Sequence, residues 1–436
     1  MKRAVVLVAA LAAARTAAAQ QAVDLPAELS LDAALQIGRA NQPQLRRARA
    51  QSAAADARVD EARAPLLPQI TANAGYTRAT GNFVPRAGSG ITAMTSTSFD
   101  TYNFFTSGVS ASQLVWDFGQ AWRRRDAARA NADAQLETER ATRLAADFTI
   151  RTAFFTARAS RDAVAVAKEA LENQSRHVEQ IKAFVEVGTR PEIDLLQART
   201  DEANAEVQLI DAENGYATAR AVLNQAMGVE APAAYAIVGA PSQAMEGEAG
   251  ALEPLVDEAV RARPDVVAGT AQLRAQELTN RATAGRYGPT LLAGAGLTYA
   301  GRELDNLVWN VSGGLTLSWP LLEGGLVRAT EREGDANRTA LAAQVDVLRQ
   351  QARVEVDGAR LAIAAGKAEL SAAERSLHNA KARLELAELR YRTGVGNGIE
   401  LSDAQLAATR AGFQRLQSAL KLDTARAQLQ RALGRP

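Results

Sequence analysis

A chain that repeats itself must fold as two versions of one unit, and this chain repeats itself over nearly its whole length. Leu31-Asp32-Ala33-Ala34-Leu35 leads to Pro43, and Leu252-Glu253-Pro254-Leu255-Val256 leads to Pro264, each pair 221 positions apart. Pro68 and Pro289, and Gly75 and Gly296, hold the same register. Farther on the offset becomes 206. It joins Asp117-Phe118-Gly119 to Glu323-Gly324-Gly325, Gly188 to Gly394, Ile193 to Ile399, Asp194 to Glu400, and Met227-Gly228 to Leu433-Gly434. The second copy therefore lacks 15 residues between Gly296 and Glu323, a loss that a surface loop absorbs most readily. Residues 20–228 read as the first repeat and 252–436 as the second. Residues 229–251, broken by Pro232, Gly239, Pro241, Gly247 and Gly250, read as the linker between them.

Periodicity changes type within each copy. Residues 31–64 and 252–285 are rich in Ala, Arg, Glu and Gln, which favours helix. After Pro68 the pattern alternates, with Ile70, Ala72, Ala74 and Tyr76 opposite Thr71, Asn73, Gly75 and Thr77. After Pro289 it recurs, with Leu291, Ala293, Ala295, Leu297 and Tyr299 opposite Thr290, Leu292, Gly294, Gly296 and Thr298. These are period-two strands with one apolar face. A second strand follows in each copy. Residues 105–116 alternate imperfectly, whereas Trp309, Val311, Gly313, Leu315, Leu317 and Trp319 face away from Asn310, Ser312, Gly314, Thr316 and Ser318. Ten residues from Trp309 to Trp319 cover about 34 Å of strand. Tilted at about 45°, they rise roughly 24 Å, near the apolar height of a membrane β-barrel. Trp309, Trp319 and Trp116 fit the two interfacial aromatic belts, although a soluble hairpin with aromatic ends satisfies the same pattern. The Gly/Ser/Thr-rich residues 78–102 read as an extracellular loop.

Between Gly119 and Gly188 there is neither proline nor glycine, and between Gly325 and Gly394 no proline. Each stretch predicts a helix of roughly 100 Å. The returning segments 194–227 and 400–433 are about half as long, as are 31–64 and 252–285, so two half-length helices end to end match one long one. Gly188 and Gly394 mark the tips of the resulting helical hairpins.

The first 19 residues differ from the rest. Lys2 and Arg3, a short apolar run from Ala4 to Ala14, and Ala17-Ala18-Ala19 give the pattern of a cleavable secretory signal peptide. The run is too short to span a bilayer. Its removal takes away Lys2, Arg3 and Arg15, and turns the net charge of +1 into −2. Basic and acidic residues are interleaved along the remainder, which excludes a concentrated nucleic-acid footprint. No later segment approaches twenty consecutive apolar residues. Cysteine is absent, so disulfides, thiolate metal sites and a lipidated cysteine are excluded.

No catalytic, cofactor-binding or metal site emerges. His177 and His378, the only histidines, are not repeat equivalents and read as surface helical residues. No nucleophile–base set stands out, and Gly394-Val395-Gly396-Asn397-Gly398 lacks the Lys-Ser/Thr of a phosphate loop. Four membrane-type strands cannot close a barrel, and open strand edges in lipid leave backbone groups unpaired. The chain must associate with copies of itself. Two copies supply eight strands and three supply twelve, and the count alone does not choose.

The combination of Leu31-Asp32-Ala33-Ala34-Leu35 with Pro43, Leu66-Leu67-Pro68, Ser110-Ala111-Ser112-Gln113-Leu114 before Asp117, and Arg390-Tyr391-Arg392-Thr393-Gly394 before Glu400-Leu401 and Ala404-Gln405 resembles the TolC-like outer-membrane efflux proteins over the whole mature chain. The resemblance implies a mainly α protein with a membrane β part. Three internally duplicated protomers would form a twelve-strand β-barrel joined to a long twelve-helix α-barrel. It implies an outer-membrane exit duct reaching into the periplasm, serving tripartite efflux or type I secretion with a periplasmic adaptor and an inner-membrane transporter, and contacting outer-membrane lipid. It also implies a periplasmic gate at the tips, for which Tyr391, Glu400 and Asp403 are the candidates in the second copy and Arg190 and Asp194 in the first. Gly396 stands where a basic residue is expected, and Val185 where an aromatic is. Glu400 and Asp403 share one helix face and by symmetry would form a negative ring favouring cations; the alternative is a solvated helix start, where the dipole favours acids. A periplasmic coiled-coil adaptor or scaffold is the alternative function, but it requires a compact domain between hairpin arms.

Overall fold

The computed structural model describes residues 25–80, 99–230, 232, 235–239, 241–248 and 250–435. The signal peptide expected at 1–19 and residues 81–98 of the expected loop lie outside them. Each repeat carries the same elements at nearly the same lengths. In the first, α1 (Leu31–Asn41), α2 (Pro43–Arg63), β2 (Gln69–Thr80), β3 (Thr101–Trp116), α3 (Gln120–Glu186) and α4 (Glu192–Met227) follow one another, preceded by the short β1 (Glu28–Leu29). After β4 (Ala236–Ile237) the second repeat gives α5 (Leu252–Ala262), α6 (Pro264–Ala284), β5 (Thr290–Gly301), β6 (Val308–Ser318), α7 (Leu326–Arg392) and α8 (Gly398–Ala432). Helices α3 and α7 have 67 residues each. No described helix is long and apolar enough to cross a membrane.

The continuous helices expected at 31–64 and 252–285 are each broken in two. Pro43 and Pro264 open the second piece, and the residue before each proline is driven out of the helical region. Gln42 has φ −59° and ψ 119°, and Arg263 has φ −68° and ψ 122°.

The chain separates into two compact units. One comprises residues 47–142 and 253–355. It holds an antiparallel sheet in the order β2-β3-β5-β6, which among the described residues leaves β2 and β6 as edges. Gln69 pairs with Ser112 and Thr290 with Ser318, so the offset is 221 on the first strand and 206 on its partner. The 15 missing residues therefore fall in the hairpin connection. Between β3 and β5 the register slips at Leu114/Trp116. This bulge leaves Val115 out of the ladder and explains the imperfect alternation there: Trp116 pairs with Leu291 and so joins its face.

The other unit comprises residues up to 46, 143–252 and 356 onward. Its main core gathers Leu29, Ile150, Phe154, Leu223, Met227 and Ile237. Gly38 lets α1 cross α3 closely, since a Cβ there would lie 2.3 Å from Ile150 Cδ1 and that side chain would have to shift. The inter-repeat linker is no free tether. β4 pairs in parallel with β1, and Asp423 of α8 accepts from the Ser242 backbone N–H at 3.0 Å and from the guanidinium of Arg158. The fully buried Asp147 is likewise forked by Arg39, at 3.0 Å from Nε and 2.6 Å from Nη2. Buried charges persist only when paired in this way.

Candidate functional site

Both hairpin tips end by the same device. Gly188 has φ 77° and donates to Val185 O at 2.9 Å, while Thr189 N–H reaches Phe184 O at 2.9 Å. Gly394 also has φ 77° and donates to Tyr391 O at 3.1 Å, while Val395 N–H reaches Arg390 O at 3.0 Å. This is the Schellman pattern, and it requires a left-handed residue at the cap. The new helix α8 is capped by Asn397, whose side chain accepts from Glu400 N–H at 2.7 Å. Gly396 fits the turn closely: a Cβ would lie 3.0 Å from Tyr391 N and 3.1 Å from Arg390, so a larger residue would press on the end of α7.

The expected gate residues divide into two groups. Tyr391, 2 % exposed, is sealed in a core with Val178, Ile181, Ala198, Leu401 and Ala404, against which Val185 also packs. Arg190 from the opposite tip lies over its ring, 5.1 Å from the centroid, approaches Asp194 at 3.8 Å, and donates to Gly396 O at 3.5 Å. Burial raises the Tyr391 phenol pKa, partly offset by Arg190. Among the described residues the phenol oxygen has no hydrogen-bond partner. Arg190, Asp194 and Tyr391 thus form one cluster bridging the two tips. Glu400 is outside it, half-exposed, 3.5 Å from Arg390 Nε, and Asp403 is exposed one turn on.

His177 is a correction. The sequence placed it on the surface, but it is 7 % exposed, its ring edge-on to Tyr391 at 5.2 Å. Burial lowers its pKa and Asp201 partly restores it. Nδ1 is buried and has no hydrogen-bond partner among the described residues. The signal was present: Ala170, His177, Ile181 and Phe184 share one helical stripe, a seam position that a polar residue type disguised. His378 is exposed, as expected.

Cross-strand partners share a face, so the pairs Leu291–Leu317, Ala293–Leu315, Leu297–Val311 and Tyr299–Trp309 define an apolar face. Ile70–Ala111 and Tyr76–Phe105 extend it, the latter rings 5.0 Å apart. The opposite face carries Thr71, Asn73, Ser110, Thr298, Asn310, Ser312 and Thr316, interspersed with Phe104, Leu292 and Val308, and is uncharged; the one charged ladder residue, Arg78, stands near the end of the apolar face, where its Nε donates to Thr101 Oγ1 at 2.9 Å. Trp309 stands near one end of the apolar face, Trp116 and Trp319 at the other, all exposed. Trp319 Nε1 donates to Tyr287 O at 3.0 Å. A face of exposed leucines, valines and tryptophans on isolated strands is the reverse of a soluble sheet. Ile193, Leu196, Val207 and Ile210 likewise leave an exposed heptad stripe on α4, and Leu361, Leu386 and Leu389 one on α7.

Comparisons with known proteins agree with this geometry. The family model described as outer membrane efflux protein matches residues 34–229 and 255–435. The pyoverdine export outer membrane protein OpmQ of Pseudomonas putida is 24% identical over 419 residues, covering 93% of this chain and 85% of the relative. The toluene efflux pump outer membrane protein TtgF, also of Pseudomonas putida, is 26% identical over 379 residues, covering 85% of this chain and 76% of the relative. Among solved structures, the outer-membrane channel OprN superposes with a TM-score of 0.80 at 20% identity, covering 93% of this chain and 90% of that one.

Proposed function

Because the chain belongs to the outer membrane efflux protein family, we propose that three copies close into one continuous exit duct through the outer membrane and periplasm. The observation that carries this reading is the four-strand sheet with one apolar face, one neutral polar face and two open edges. In lipid each unpaired edge group costs several kcal/mol, so β6 of one copy must meet β2 of the next. Three copies give twelve strands with the apolar face toward lipid and the hydroxyl- and amide-bearing face toward the lumen. The exposed stripes on α4 and α7 supply the matching seams of a twelve-helix barrel. Trp309 at one end and Trp116 and Trp319 at the other serve as interfacial belts.

The duct is passive: a periplasmic adaptor and an inner-membrane transporter provide coupling and energy. Relatives named for pyoverdine export and toluene efflux differ in cargo, in keeping with selectivity that rests with those partners. At the periplasmic end the Arg190–Tyr391–Asp194 cluster holds the two hairpins of a protomer together, and Glu400 and Asp403 line the opening. An adaptor or scaffold leaves the membrane-type sheet without a role. The test is fractionation of the mature protein together with conductance in planar bilayers. A heat-sensitive oligomer in the outer membrane that forms channels is expected; a soluble periplasmic monomer without channel activity overturns the reading.

A further inference from the structure

The apolar face of the sheet continues past its last ladder pair. Beyond Trp116 and Trp319 come Leu321 and Leu322, 79% and 90% exposed, and the first turn of α3 adds Trp122, 56% exposed. Trp116 is steadied by an edge contact to Phe118, with ring centroids 5.9 Å apart. Apolar side chains this exposed need a non-aqueous neighbour.

Helix α3 then presents three consecutive arginines, and their surroundings differ. Arg123 has a structural task, with Nη1 donating to the carbonyls of Phe118 and Arg281 at 3.1 and 3.0 Å. Arg124 is exposed, and among the described residues its one hydrogen bond is a long one, 3.4 Å to Gln120 Oε1. Arg125 lies over Trp122, 5.6 Å from the ring centroid, with Asp126 at 3.6 Å. Asp117 offers these cations nothing. It is buried, and its two oxygens accept the N–H groups of Gly119 and Ala121 at 3.1 and 2.7 Å. From the second repeat, Arg328 is exposed near the start of α7 and, among the described residues, has no hydrogen-bond or ion-pair partner.

We propose that this collar is a phospholipid headgroup site: Arg124, Arg125 and Arg328 hold the phosphates of the membrane leaflet nearest the helices, with the indoles and leucines seated among the glycerol groups and upper acyl chains. Guanidinium forks match phosphate oxygens in pairs, and tryptophan favours that depth of a membrane. Arg124, Arg125 and Arg328 outnumber the carboxylates beside them, Asp126 and a Glu331 already bonded by the Tyr287 hydroxyl, so anionic phospholipid is preferred over zwitterionic. The inference rests on the reading that the apolar face meets lipid.

The test uses the purified oligomer, exchanged into mixed micelles of phosphatidylglycerol and phosphatidylcholine, with retained lipid counted by native mass spectrometry. The wild type should keep phosphatidylglycerol in preference. The combined Arg124→Gln, Arg125→Gln and Arg328→Gln variant should lose roughly tenfold or more of that preference, while the matching lysine variant keeps most of it. Channel selectivity, read as a reversal potential, should not move. An unchanged lipid preference in the glutamine variant overturns the collar, as does a shifted reversal potential without loss of preference, which puts the arginines on the ion path. Should the variant fail to assemble, salt titration of the wild type decides: the preference must fall as salt screens the contacts, and one that salt leaves untouched refutes the proposal. A wild type that never conducts counts against the duct itself, whereas a conducting wild type with an insensitive variant counts against the collar alone.

Discussion

Replacing Tyr391 separates packing from hydrogen bonding at the tip. The ring is enclosed on four sides: Arg190 at 5.1 Å, His177 at 5.2 Å, Phe184 at 6.4 Å and the aliphatic core around Ile181 and Leu401. Truncation to alanine removes the ring and leaves a cavity, at a cost of about 3–5 kcal/mol by analogy with buried aromatics. Tyr391→Phe keeps the ring and its stacking under Arg190 but removes a buried hydroxyl that has no partner. Leaving such a group unsatisfied costs about 1–3 kcal/mol, so the phenylalanine variant should be neutral or up to about 1 kcal/mol more stable. Hydrogen exchange at Thr393, Gly394 and Val395 reads this directly, because their amides are protected by bonds to the last turn of α7. Protection should fall about a hundredfold or more in Tyr391→Ala and hold or rise in Tyr391→Phe. Resting conductance should rise only in the alanine variant, through loosened packing rather than lost bulk in the opening. Equal loss of protection in both variants would refute the reasoning, because the hydroxyl would then be making a bond of its own.

Three further outcomes follow from the same structure. On the sheet, Leu315→Arg should cost about 2–4 kcal/mol of insertion stability, whereas Asn310→Arg, on the neutral face, should be tolerated; equal yields of assembled protein would contradict the face assignment. At the tip, buried His177 binds its proton less readily than a solvated histidine. Its contribution to tip stability is therefore complete above its ordinary value near 6.5 and lost as pH falls below it toward the depressed one; tip protection, taken relative to the intrinsic amide exchange rate at each pH, should fall on acidification in the wild type and less so in His177→Phe, and superimposable profiles would exclude the histidine. At the opening, Glu400→Ala with Asp403→Ala should weaken cation selectivity and block by multivalent cations; wild-type selectivity in the double variant would reduce both acids to partners of a helix start.

Much of this architecture was legible in the residues because its causes are periodic. Alternation over Leu291, Ala293, Ala295 and Leu297 marks the apolar face directly, and the change of offset from 221 to 206 locates a shortened hairpin before any pairing is seen. Gly188 and Gly394 announce their tips because only a residue at ease with positive φ closes a Schellman turn. What escaped is non-local. The helix breaks at Pro43 and Pro264 were written in the sequence, yet the long alanine-rich runs around them outweighed a single proline. Val115 looks like any strand residue, and only its partner strand shows the bulge. His177 was hidden by its type, since burying an imidazole with an unpartnered nitrogen requires the four-helix tip packing that composition does not display. The pairing of β1 with β4 and the capture of Ser242 by Asp423 join segments about 200 residues apart, with no local pattern to announce them.

Two further copies of the same chain complete the open strand edges and the exposed helical stripes. The mass of the detergent-purified protein, from light scattering corrected for bound detergent or from native mass spectrometry, tests this most directly. A single species of three protomers is expected, each close to 46.2 kDa less any leader removed on export. A monodisperse monomer that keeps its strand content would contradict it, because a four-strand sheet with both edges bare has no stable place in a membrane.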